Sequence, residues 1–248
     1  MARRILLINP IGVDIFDQLT VDLVRPDLRE DTEVVCRSLD GVPRSPSLAS
    51  PAQFHNQLIT MVAGAAGEGF DAVGISCCGD PALSACKSVS TIPVTAPFEA
   101  VCAAARSLGP FTVLRRTLPP AFAATMPTQR NGHWMRHLVR SYGIAPDDVS
   151  FRTVPVASHP SPEEVAELAD RDPGLLREKV LAAMAEAAAG AGLKQTLAAA
   201  EDDGATAVFF ACTFWGGLLG PVREQSPIAV LDPLTVVAKY TEYLATIV

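Results

Sequence analysis

The chain has 248 residues, with 20 basic and 27 acidic side chains and a formal net charge of −7. At about 150 residues per domain this makes one or two domains. The acidic balance and the lack of any Lys/Arg run argue against nucleic acid or an anionic membrane as the main partner. Six cysteines are too sparse for a disulfide scaffold. The apolar part of MARRILLINP is too short for a signal peptide, and no stretch has the length of a membrane span. The expectation is a cytoplasmic protein with reduced thiols.

In chain order, short β-rich apolar runs alternate with helical stretches. Ile5–Ile8 reads as a buried strand broken by Asn9-Pro10-Ile11-Gly12, and Thr32–Cys36 as a second strand. Gln53–Ala66 carries apolar residues at helical spacing. Ala72–Ser76 is a third strand, followed by Cys-Cys-Gly-Asp-Pro. Ala82–Val89 fits a short helix, Pro93–Ala96 a strand and Phe98–Leu108 a helix. Phe111–Leu114 is strand-like, and Arg115–Arg130 looks irregular, rich in Pro and Thr. Asn131–Tyr142 is a helix stopped by Gly143, and Ser150–Val156 a strand. Glu163–Ala200 is mostly helix, interrupted at Pro173 and near Gly190 and Gly192. Ala207–Ala211 and Ile228–Leu231 are strands, and Leu234–Thr246 is a last helix. Such alternation means βαβ units in parallel sheets covered on both faces.

Asp71-Ala-Val-Gly-Ile-Ser-Cys77, leading to Ile92-Pro93-Val94, lies over Thr206-Ala-Val-Phe-Phe-Ala-Cys212, leading to Ser226-Pro227-Ile228. Both copies read strand, cysteine, Gly-containing turn, short helix, proline, strand, helix, the signature of a duplication. In each copy the cysteine follows the last strand residue, and open parallel sheets bind ligands at the carboxyl ends of strands. Two facing halves bring Cys77 and Cys212 to opposite sides of one cleft. A thiol ahead of a helix N-terminus is expected to have its pKa lowered from about 8.5. One acid and one base on opposite faces of a carbon are what stereoinversion needs. No metal or organic cofactor is required if hydrogen bonds to the adjacent carbonyl stabilise the carbanion. Backbone N–H groups around Cys78-Gly79 and Thr213-Phe214 are the expected donors. Cys36, Cys86 and Cys102 read as packing residues. His55, His133, His137 and His159 lack zinc-ligand spacing relative to the cysteines, so no metal site is expected.

Ile75-Ser-Cys-Cys-Gly-Asp-Pro-Ala-Leu83 with Ile92-Pro-Val94 resembles the first cysteine motif of the hydantoin and allantoin racemases, within the aspartate/glutamate racemase superfamily. Arg4-Ile-Leu-Leu-Ile-Asn-Pro10 is similar to their first strand and its Asn-Pro loop. Phe111-Thr-Val-Leu114 with Arg115-Arg-Thr-Leu-Pro119 resembles the start of their second half. Ala211-Cys-Thr213 resembles the second cysteine motif in its amino-acid racemase form. The resemblance implies a cofactor-independent isomerase with catalytic Cys77 and Cys212, in two pseudo-symmetric, doubly wound α/β subdomains whose cleft is the active site. The expected division is residues 1–100 plus 226–248 against 101–225. Three features depart from the family: Ile11 replaces an Asn, Phe214-Trp215 replaces small residues, and Pro120–Trp134 is longer. The second points to a larger or more apolar substrate.

The reading is a racemase or epimerase acting next to a carbonyl, on a hydantoin-like ring or an amino-acid derivative. Its partner is a small molecule, and a homo-oligomer stays open. Asn9, Pro10, Cys78, Gly79, Asp80, Thr213, Phe214 and Trp215 are the expected substrate-binding residues, with Asp80 equally suited to cap the helix after it. A decarboxylase or cis–trans isomerase of the same superfamily is an alternative, because one cysteine can instead serve as a covalent nucleophile. A small-molecule-binding or thiol-sensing protein is another, kept alive by vicinal Cys77-Cys78.

Overall fold

A computed structural model of the protein describes residues 3–45, 51–121 and 133–247. Expectations for the Pro/Thr-rich segment lie outside the described residues over 122–132. The first strand, β1 (Arg3–Asn9), carries Ile5-Leu-Leu-Ile8 with no exposed surface on either face, as a central parallel strand requires. With β2 (Thr32–Ser38), β3 (Ala72–Ile75) and β4 (Val94–Thr95) it forms a parallel sheet in the order β2-β1-β3-β4. The strands β5 (Phe111–Thr117), β6 (Val149–Pro155), β7 (Ala207–Phe210) and β8 (Ala229–Leu231) form a second sheet in the equivalent order β6-β5-β7-β8. All the pairings are parallel. The fold is thus α/β with two subdomains of one topology.

The likeness of the halves reaches single hydrogen bonds. Ser90 Oγ donates to the Ile92 carbonyl and accepts the Ile92 N–H, and Ser226 does both with Ile228. These two turns sit in equivalent places, just ahead of β4 and β8.

Helices flank the sheets: α1 (Asp17–Val24), α2 (Pro51–Ala65), α3 (Leu83–Val89), α4 (Pro97–Leu108), α5 (His133–Ser141), α6 (Pro162–Arg171), α7 (Pro173–Ala187), α8 (Leu193–Glu201), α9 (Gly220–Gln225) and α10 (Pro233–Ile247). The sequence pattern did not indicate α1, whose Thr and Val residues favour strands. The long 163–200 stretch breaks at Pro173 as its composition predicts. There Asp172 ends α6 and its carboxylate accepts the Leu175 N–H that opens α7. At Gly190 and Gly192 the chain does not leave the helix. It widens into a π-helical turn, Ala188–Gly192, and continues as α8.

The division between halves differs from the expected one. Phe98, Val101, Cys102 and Ala105 of α4 pack with Phe111, Val113, Ala207 and Phe209 of the second sheet. Leu234, Ala238 and Ala245 of α10 pack with Ile5, Leu7 and Ala72 of the first. Each sheet is covered by the helix that follows the other sheet's last strand. Residues 226–231 belong with the second sheet, since Val230 of β8 pairs with Val208 of β7. The chain therefore changes sides at Pro97 and Pro233, where each helix begins, rather than at 100 and 226. No helix among the described residues is long and apolar enough to cross a membrane.

Candidate active site

The two cysteines occupy equivalent places at the carboxyl ends of the sheets. The last pair between β1 and β3 is Ile8 with Ile75, and the last between β5 and β7 is Leu114 with Phe210. Cys77 and Cys212 each stand two residues beyond. The Cys77 N–H donates to the Ile75 carbonyl (2.9 Å) and the Cys212 N–H to the Phe210 carbonyl (2.8 Å). The carbonyl of each then accepts a turn N–H three residues on, from Asp80 and Trp215 respectively. The two loops touch: Thr213 Oγ1 donates to the Ser76 carbonyl at 3.1 Å, joining the residue after one cysteine to the residue before the other.

Cys77 keeps partial exposure as a residue, but protein surrounds its sulfur. Burial pushes its thiol up to about 12, against the pull of the Gly79 N–H on its sulfur. The neighbouring Cys212 raises it further, as does Asp80, while Arg116 lowers it. This corrects the expected low pKa. The helix that follows, α3, starts only at Leu83, too far along to offset desolvation. Cys212 is half-buried and opens a single 3₁₀ turn, Thr213–Trp215. All six cysteines are free.

Several expected substrate contacts have other work. Asp80 is buried, and its carboxylate accepts the Phe98 and Glu99 N–H groups (3.0 and 2.8 Å) and the Tyr142 hydroxyl (2.7 Å). It caps α4, not the helix directly after it, and ties the cysteine loop to both α4 and α5. Burial raises this carboxyl to about 6, with the three donors pulling the other way. Cys78 is turned into the core beside Phe98 and Val101, so its side chain is a packing group. Trp215 has no exposed surface. Its ring meets Phe210 edge-on at 5.0 Å and its Nε1 donates to the Met184 carbonyl at 3.3 Å. Its side chain too is a packing group. An indole this large gains most by full burial, and the Met184 carbonyl satisfies its polar atom.

The remaining expected residues stay near the cysteines. The Asn9 amide donates to Asp17 (2.7 Å) and to the Cys36 sulfur (3.2 Å), with Pro10 buried in the turn after it. Asn9, Ser76, Thr213 and Phe214 line one small cavity of about 20 Å³. Phe214 is half-buried, stacked obliquely on Phe16 at 4.6 Å, and the Arg116 guanidinium lies over its ring at 5.6 Å. Gly79 lies beside Cys77, and a Cβ there would meet only ordinary contacts, 3.7 Å from the Cys77 sulfur and 3.9 Å from Trp134. His137 is exposed, and no cluster of three metal-ligating side chains gathers among the described residues. Sequence reasoning passed over Ser76 and Arg116. For Arg116 the signal was available: a charged residue at the end of a central strand, at the level where the cysteines stand.

A family model described as Asp/Glu/Hydantoin racemase matches residues 5–241. Among curated proteins none is significantly similar in sequence. In solved structures the chain resembles allantoin racemase from Klebsiella pneumoniae, with a TM-score of 0.70 at 21% identity over 98% of this chain and 88% of that one. Allantoin racemase from Pseudomonas fluorescens gives 0.69 at 18% identity over 98% and 91%. An aspartate racemase homologue from Pyrococcus horikoshii OT3 gives 0.61 at 13% identity over 99% and 100%. At these identities the structures share the fold.

Proposed function

This chain belongs to the Asp/Glu/hydantoin racemase family, and on that premise we propose that it is a cofactor-independent racemase or epimerase whose acid and base are Cys77 and Cys212. The supporting observation is the hydrogen bond from Thr213 to the Ser76 carbonyl, which holds two equivalent cysteine loops against each other. A substrate carbon between the loops has one thiol on each side. The thiolate on one side removes the proton. Electron density moves to the adjacent carbonyl oxygen, where backbone N–H groups of the loops are the candidate donors. The thiol on the other side delivers its proton to the opposite face, and the next turnover starts from the reverse protonation state. The substrate is an amino-acid derivative or a hydantoin-like ring, a small molecule with an acidic carbon next to a carbonyl, and the protein works in the cytoplasm.

The test uses Cys77→Ser and Cys212→Ser in D₂O with each enantiomer of a panel of hydantoins and N-carbamoyl amino acids. Each variant loses inversion by two or more orders of magnitude, as removal of a general acid or base of about 10²–10⁴-fold effect requires. Each keeps α-hydrogen exchange of one enantiomer, and the two variants exchange opposite ones. Exchange of the same enantiomer by both, or none by the wild type, overturns the reading. Loss of carbon dioxide from an arylmalonate would place the protein among decarboxylases instead.

A further inference from the structure

Arg116 stands two residues past Leu114, just as Cys212 stands two past Phe210, so the register of β5 and β7 puts them side by side at the sheet end. In the first half the same position holds Pro10, so the charge is not part of the duplicated scaffold. One guanidinium nitrogen, Nη1, is buried and has no hydrogen-bond partner. Among the described residues no carboxylate lies within ion-pair distance of Arg116. Yet this side chain is held in place, its guanidinium lying over the Phe214 ring. Its charge is felt by the Cys77 thiol and by the buried His159. Arg116 as a whole is half-buried, and a buried donor such as its Nη1 is costly without a partner. Among the described residues the other buried side-chain polar atoms without a partner are the hydroxyls of Thr32 and Ser76, and Ser76 adjoins Cys77. The carboxylates near the site are closed. Asp17 takes Asn9 and Ser38, and Asp80 takes three donors.

We propose that Arg116 is the specificity-determining residue of the site, and that it recognises a carboxylate on the substrate next to the carbon that lies between Cys77 and Cys212. This rests on the two-cysteine reading above and narrows it. The guanidinium fork matches a carboxylate in geometry and charge, and a carboxylate bound there satisfies Nη1 and neutralises the cation together. A neutral hydantoin ring satisfies only the hydrogen bond. The substrate is therefore an open-chain, carboxylate-bearing amino-acid derivative. The Phe214 ring holds the guanidinium plane and excludes water from one side of the pair.

The experiment compares alkylation of the site cysteines by iodoacetate and by iodoacetamide, with the modified residue identified by mass spectrometry. In either reaction the thiolate sulfur displaces iodide from carbon, so the two reagents differ in the carboxylate. Loss of Arg116 changes thiolate reactivity equally for both, and the ratio of their rates isolates recognition of the anion. In Arg116→Met the iodoacetate-to-iodoacetamide ratio at Cys77 or Cys212 falls by about tenfold or more, while Arg116→Lys, which keeps the charge without the fork, falls less. The ratio at Cys36, away from Arg116, stays the same. An unchanged ratio in Arg116→Met overturns the proposal. If the site thiols resist both reagents, malonate decides: it raises the Tm of the wild type and not of Arg116→Met, and equal shifts overturn the proposal. Neither readout depends on turnover. A changed ratio with failure of the mirror-image exchange leaves an anion site in a protein that is not a two-cysteine racemase. The converse leaves a racemase whose specificity lies elsewhere.

Discussion

Trp215 shows how strand and turn position can mislead about a single side chain. It follows the second cysteine by three residues, yet it is a core residue. Trp215→Ala therefore lowers stability by about 3–5 kcal/mol through the cavity it leaves. Urea unfolding measures this, and the kcal/mol cost is expected without a matching loss of kcat in the folded fraction. Asp80 was legible as a cap but not its target, because the chain must first return through β4 before α4 reaches it. For the cysteines, proton bookkeeping sets the pH profile. On the proposed two-cysteine mechanism the dyad carries one proton in either direction, and the two enantiomers of a substrate have equal energy. So kcat/KM for both directions rises together with pH as the dyad gives up its first proton. Cys77, raised to about 12 by burial, holds the second proton. Initial rates across pH 6 to about pH 10 are expected to rise or level off without an alkaline downturn. A downturn near pH 9 would mean that the last proton sits on a more acidic group.

Among the elements, the contact of α10 with β3 is a tight constraint on the strand that leads to Cys77. A Cβ at Gly74 would fall 2.5 Å from Thr241 Oγ1 and 2.7 Å from Leu7 Cδ2. Only a residue without a side chain lets the last helix lie on the first sheet beside the strand that carries Cys77. Gly74→Ala is expected to cost about 1–3 kcal/mol by overpacking and to shift the Cys77 loop, raising KM or lowering kcat. Thermal unfolding and kinetics on the purified variant check both. The central strands were the easiest elements to read, since the apolar runs of β1, β3, β5 and β7 are short and buried. The π-helical turn was not legible, because Gly190 and Gly192 signal a break. In the fold Gly192 instead lets Phe210 approach to 3.1 Å from where its Cβ would be, and packing against β7 keeps the helix going.

At the scale of the molecule, the exchange of α4 and α10 makes each sheet depend on a helix from beyond the other sheet's last strand. Neither half has a complete core by itself, so the two unfold together. The tryptophans, Trp134 and Trp215, report on the second half, while Cys86, enclosed in the first-half core, reports on the other. In urea, tryptophan fluorescence and pulsed alkylation of Cys86 give coincident transitions. Separated midpoints would mean that the halves are independent domains.

The residues by themselves determined the parallel strands, the repeated strand–cysteine unit and the family, because these depend on short-range order: apolar runs, turn residues and the spacing of Cys77 and Cys212 from their strands. The tertiary structure decided which helix covers which sheet, what Asp80 caps, that Cys78 and Trp215 are packed inside, and that burial raises the Cys77 thiol. It also brought Arg116 beside Cys212 with an unpartnered nitrogen. Each of these depends on contacts between segments far apart in the chain, where desolvation and packing are set by neighbours that no local pattern names.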